Sequence, residues 1–117
     1  MKMESTTINI FNTVGSSYCV ESDDGQKVFD LIKKAITENR KVTLSFLNID
    51  MLTTAFLNTA VGQLYGEFPE ATIKENLQVE NLSQSGMISL KRVVETAKLY
   101  YKDPEAMQRS INEILGD

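Results

Sequence analysis

Val42-Thr43-Leu44-Ser45-Phe46-Leu47-Asn48-Ile49-Asp50-Met51-Leu52-Thr53-Thr54-Ala55-Phe56-Leu57-Asn58-Thr59-Ala60-Val61-Gly62-Gln63-Leu64-Tyr65 is the stretch that decides the fold. Its first eight residues start in alternation and become apolar on both sides. That is the pattern of a central strand covered by helices. Further on, Phe56, Leu57, Ala60, Val61, Leu64 and Tyr65 recur at helical spacing and make a broad apolar stripe. The spacing predicts a helix from about Thr54 to Phe68, ended by Pro69. Thr53 and Thr54 stand where the strand hands over to that helix. Either hydroxyl can cap it by accepting a bond from a free N–H of the first turn.

Upstream, Val28, Leu31, Ile32, Ala35 and Ile36 mark the inner face of a helix over about 24–38. Asp23 and Gln26 have capping-box spacing at its start, and Asn39 is a left-handed terminator at its end. Residues 6–12 alternate around Ile8 and Ile10 and read as a half-buried strand. With Gly15-Ser16 as the turn, 17–20 reads as a second strand, giving an antiparallel hairpin. A crossover through helix 24–38 makes strand 42–49 the neighbour of an earlier strand.

Downstream, Leu77 and Val79 alternate with Gln78 and Glu80, which predicts a strand near 76–81 after an irregular lead-in. Ser83 or Ser85 can cap a helix over about 86–101, with Met87, Leu90, Val94, Ala97 and Tyr101 inward. Tyr100 is a candidate partner contact. Asp103-Pro104-Glu105 is a strong helix start. The helix it opens, 104–115, carries Met107, Ile111, Ile114 and Leu115 on one face. The order β-β-α-β-α-β-α-α predicts an α/β fold, a mixed sheet of about four strands with helices packed on it and an extra C-terminal helix. The 117 residues fit a single domain, 1–117.

Composition narrows the chemistry. There is no histidine and no tryptophan, and Cys19 is the only cysteine. Ser-His-Asp and Cys-His nucleophile systems, histidine metal sites and an internal disulfide are therefore excluded. Cys19, between Tyr18 and Val20, reads as a small buried residue. The net charge of −4 has no basic block, so nucleic-acid binding has no footprint. No apolar run reaches the roughly 18 residues that cross a bilayer. The N-terminus has no apolar leader, and a cytoplasmic location is the expectation. No phosphate-cradling or dinucleotide glycine motif occurs. No metal, cofactor or catalytic group is expected.

The block 42–65 resembles the STAS superfamily of sulfate-transporter and anti-sigma-factor-antagonist domains. It is most similar to the bacterial STAS-like family of unassigned function. The resemblance rests on the apolar strand 42–49, the Thr53-Thr54 turn, Phe56-Leu57 opening a helix, and Asn81-Leu82-Ser83 after the next strand. It spans about residues 6–100. Anti-sigma-factor antagonists carry Asp-Ser-Ser-Gly at this turn, and a histidine-kinase-like ATPase phosphorylates the first Ser. By position, Thr53 takes the Asp place, Thr54 the phosphorylated Ser place, Ala55 the second Ser and Phe56 the Gly.

The resemblance implies a non-enzymatic regulatory module that docks a protein partner, a histidine-kinase-like ATPase or a sigma-regulating protein. The docking surface would be the 51–58 turn and helix 54–68. Thr54 and Thr53 are the candidate phosphorylation or anion-binding residues. Asn58, Thr59, Gly62 and Gln63 are the candidate partner contacts. A homodimer is compatible with this reading. The alternative is a nucleotide- or anion-binding sensor that uses the same helix N-terminus, where free N–H groups and the dipole favour negative charge.

Overall fold

The computed structural model describes residues 5–102. In chain order the elements are β1 (Ser5–Asn9), α1 (Ile10–Val14), β2 (Tyr18–Cys19), α2 (Ser22–Thr37), β3 (Lys41–Ser45), β4 (Met51–Leu52), α3 (Thr54–Ala60), a 3-10 helix (Gly62–Gly66), α4 (Glu70–Asn76), β5 (Leu77–Glu80) and α5 (Gln84–Lys102). Three strands form a sheet in the order β1-β3-β5, and β2 pairs with β4 in a separate two-stranded ribbon. The expected α/β fold is present, with β3 central. The C-terminal helix expected at 104–115 lies outside the described residues.

Among the described residues, every strand pairing is parallel. β1 aligns Ser5 with Lys41 and Asn9 with Ser45, while β5 aligns Leu77 with Val42 and Glu80 with Ser45. The expected antiparallel hairpin of 6–12 with 17–20 is thus corrected, and so is the mixed character of the sheet. The physical reason is local. The Asn9 side chain accepts from the Asn12 N–H at 2.9 Å and caps a one-turn helix, which Gly15 closes in the left-handed region at φ 80°. Ile10 therefore opens α1 instead of extending β1, although its burial still fits the apolar alternation. The chain then leaves the sheet, and Tyr18 and Cys19 find Met51 and Leu52 as partners.

β3 is shorter than expected. It stops at Ser45, and Asn48 turns the chain at φ 66°. Leu44, Phe46, Leu57, Val61 and Leu64 are all buried in one core with Ile10, Val28, Ile32, Val42 and Phe56. Truncating such a leucine to alanine destabilises a domain by about 2–5 kcal/mol.

The helix expected over 54–68 is α3 followed by the 3-10 helix. Its stripe is continuous in sequence, but its backbone tightens at Gly62, with Leu64 N–H bonded to the Val61 carbonyl. Pro69 does not only stop that segment. It serves as N-cap of α4, so the expected irregular lead-in to the strand is a helix. The capping box of Asp23 and Gln26 does not form. The N-cap of α2 is Glu21, without a side-chain bond, and Gln26 turns to Asp30 and Gln63 instead. Asn39 follows α2 at φ 62°, as expected of a left-handed terminator. Ser83, not Ser85, accepts the Gly86 N–H at 3.1 Å where α5 begins.

α2 packs chiefly on α3, and α5 packs on α3 and the 3-10 helix. Leu31, Met87 and Tyr101, expected inward, are 43%, 50% and 41% exposed. The inner face of α5 is instead Gly86, Leu90, Val93 and Ala97. Tyr101 lies over Gly66 and meets Tyr100 edge-to-face at 4.9 Å between ring centroids.

Candidate functional site

Parallel strands send their C-terminal ends to one edge of a sheet, and there the loops of an α/β fold gather. Here that edge carries the 46–53 loop after β3 and the 81–83 loop after β5. Ser45, the last residue of β3 and 4% exposed, ties the two together. Its hydroxyl accepts from the Leu47 N–H and from Asn81 Nδ2, each at 3.4 Å. The Phe46 N–H donates to the Glu80 carbonyl at 3.0 Å. Asn48 and Asn81 adopt left-handed backbone at φ 66° and 60°, which reverses each loop sharply.

Between the loops lies a cleft of about 260 Å³. Asp50, Asn81, Ser83, Ser85 and Ser89 line its polar side, and Phe46, Ile49, Met51, Leu52 and Leu82 its apolar side. Sequence reasoning missed this cleft, because it arises only when segments more than 30 residues apart converge. The signal that could have found it is the run of serines after β5.

The β4–α3 junction adjoins the cleft through Met51 and Leu52. The Asp50 and Met51 N–H groups both donate to the Ser17 carbonyl, and the Thr53 N–H donates to the Cys19 carbonyl at 3.1 Å. The Thr53 hydroxyl is committed twice. It accepts from the Phe56 N–H at 3.2 Å as N-cap of α3, and it donates to the Val20 carbonyl at 3.1 Å. Thr53 therefore locks the start of α3 onto the loop after β2. Thr54, the next residue, opens the helix and is exposed, and so is Asn58 one turn further on.

The other candidates face elsewhere. Thr59 is half-buried toward α2, close to Gly25. The Gln63 amide donates to the Thr59 carbonyl at 2.8 Å and to Gln26 Oε1 of α2 at 3.1 Å. Gly62 is buried toward Val93 and Ala97 of α5. The structure thus brings Thr54 and Asn58 together on open surface, and it uses Thr53, Thr59, Gly62 and Gln63 inside the scaffold.

Behind the junction, Cys19 is fully buried, and burial followed by the nearby Asp24 charge pushes its thiol up to about 11. A thiol so protonated is a poor nucleophile at neutral pH. Among the described residues, no group of three or more His, Cys, Asp or Glu could hold a metal ion. Among them, no helix is long and apolar enough to cross a membrane. Tyr18 and Met51, opposite one another across the β2–β4 ribbon, are 55% and 52% exposed and leave an apolar pair beside the junction.

A family model described as a STAS-like domain of unknown function (DUF4325) matches residues 24–87. The chain belongs to this family. The matched segment begins in the first turn of α2 and ends in the first turn of α5, so it contains β3, the Thr53-Thr54 junction and both loops of the cleft. Neither a curated protein nor a solved structure matches the chain.

Proposed function

We propose that this STAS-like domain is a non-enzymatic cytoplasmic regulatory module that docks a protein partner at the β4–α3 junction. Thr54 is the hydroxyl that a partner kinase modifies, and a histidine-kinase-like ATPase or a sigma-regulating protein is the partner class. The observation that carries the reading is the division of labour between two adjacent threonines. Thr53 spends its hydroxyl on the scaffold, while Thr54 stands exposed on the same rigid turn. Asn58 and the exposed Tyr18–Met51 pair extend the surface with one amide and two apolar side chains. Exposed aromatic and methionine side chains are enriched where proteins dock.

The anion-sensor alternative has less support. The cap already fills the Phe56 N–H, and α3 has only seven residues.

Phosphate on Thr54 adds about −1.5 to −2 charges beside the helix N-terminus, where the dipole tolerates them. An acidic partner surface would repel that charge, and an apolar one would strip its water at a cost. The test is affinity capture from the native host with wild type, Thr54→Glu and Thr54→Ala as baits. One captured ATPase or sigma regulator should be retained by Thr54→Ala and lost by Thr54→Glu, with all three baits melting alike. Equal retention by both variants overturns the switch.

A further inference from the structure

A second apolar feature lies away from the β4–α3 junction and stands independently of the reading above. Leu77 and Val79 of β5 are only half-buried, whereas Val42 and Leu44, their register partners in β3, are buried. β5 ends the sheet among the described residues, and α5 packs on α3 and the 3-10 helix. Leu77 and Val79 therefore line an open groove of about 530 Å³ together with Ile73 of α4 and Leu90 and Val94 of α5.

α5 carries more apolar surface than the fold covers. Met87, Leu90, Val94, Ala97 and Tyr101 recur at the alternating three- and four-residue spacing of a seam between helices. Leu90 and Ala97 are buried, Val94 is half-buried, and Met87 and Tyr101 are exposed. Positions 87, 94 and 101 are seven apart and share one flank of the helix, the flank on which Val94 lines the groove. The seam is thus filled on one side and open on the other.

We propose that this groove docks an acidic amphipathic helix of a partner protein, laid alongside α5 and across Leu77 and Val79. A helix suits the space, because helices cover the apolar faces of parallel sheets and read seams of this spacing. Charge selects the sign. The chain carries a net −4, yet the charged residues of the groove are Lys74 and Lys98 against Glu70 alone. Lys98 and Glu70 pair at 3.0 Å, which leaves Lys74 uncompensated within the lining. Lys91, exposed two turns before Lys98, adds a second cation on the same flank of α5. A second copy of this chain would set these lysines against their own kind, which disfavours self-association through the groove.

The test is peptide binding to the full chain, read by fluorescence anisotropy. The probe is a labelled two-heptad peptide with leucine at the first and fourth positions of each heptad and glutamate beside them. Its control carries lysine for every glutamate. Net charge alone predicts that the acidic protein prefers the lysine peptide. The groove predicts the reverse, with the glutamate peptide bound about tenfold tighter, since several individually weak pairs act together. Lys74→Glu with Lys91→Glu, both at exposed positions, should reduce that preference to about twofold or less while leaving the melting temperature in place. Amide chemical shifts should move in Leu77–Glu80 and along 87–98, and not in β1. No binding of the glutamate peptide, equal binding of the two peptides, a preference unchanged in the double variant, or shifts confined to other elements would each overturn the proposal. So would a dimer, found by light scattering, that the glutamate peptide fails to compete with and Val94→Asp dissociates, because it would assign the groove to a second copy.

Discussion

Gly25 of α2 lies so close to the Phe56 carbonyl of α3 that a Cβ at position 25 would stand 2.7 Å from that oxygen. The same Cβ would meet Thr59 Cβ at 3.0 Å and the Ala60 nitrogen at 3.3 Å. Two of these three neighbours are backbone, so they yield only if a helix moves. Glycine inside a helix ordinarily costs about 1 kcal/mol relative to alanine, and here the missing side chain lets α2 and α3 touch. Gly25→Ala is therefore expected to destabilise by about 1–3 kcal/mol, as overpacking does. Urea unfolding followed by circular dichroism checks the sign. A stabilised Gly25→Ala would show that α2 and α3 do not meet there.

The two threonines of the junction should separate cleanly in stability. Thr53→Ala loses the cap of α3 and the tie to Val20, and it should cost about 1–2 kcal/mol. Thr53→Ser keeps the hydroxyl and should recover most of that. Thr54→Ala should fall within about 0.5 kcal/mol of wild type, as exposed positions do. Thermal melts of the three variants give the ranking, and a larger loss for Thr54→Ala would assign the cap to the wrong residue.

Stability should decline on the alkaline side. Burial holds the Cys19 thiol at about 11 against an ordinary value of 9.0, so between those pH values the unfolded chain has released a proton that the folded chain keeps. Unfolding is then favoured as pH rises from about 9 to about 11, and the contribution is absent below 9. Tyr65 and Tyr101 are also raised, both mainly by burial, and Lys98 is raised chiefly by its hydrogen bond to Glu70. For these three groups too, stability is lost as the pH climbs. Urea midpoints should fall from pH 9 upward, and Cys19→Ala should flatten the first part of that fall. A midpoint that rises over this range would reverse the sign.

Tyr101 covers Gly66 so closely that any Cβ at position 66 displaces its ring. A ring that is 41% exposed moves more easily than backbone. Gly66→Ala should therefore destabilise less than Gly25→Ala. Removing the obstacle should remove the effect. In a double-mutant cycle, Gly66→Ala should have little effect in a Tyr101→Ala background. Additive losses would mean that the glycine serves some other contact.

Long periodic segments were legible in the sequence. The stripe of α2, the centrality of β3 and the buried set Leu44, Phe46, Leu57, Val61 and Leu64 follow from apolar spacing, which burial enforces. Pairing direction was not legible, because Ile8 and Ile10 alternate as well at a strand–helix boundary as within a strand. The Asn9 cap decides between them. α4 was missed because Ile73 is its single buried residue and a seven-residue helix shows too little period. The hydroxyl pair could be found by pattern. Which hydroxyl bonds inward depended on the Val20 carbonyl, 33 residues away in sequence. Ser45 and the serine-lined cleft escaped for the same reason.

Each sheet ladder joins residues about 35 positions apart, as Ser5 with Lys41 and Val42 with Leu77. A ribosome adding about 5–20 residues per second therefore releases β1 several seconds before its partner. β3 then waits a similar interval for β5. α2, complete between them, can form in microseconds but has no finished sheet to rest on. During synthesis the chain exposes its central strand with one edge unpaired, the kind of edge that recruits other chains.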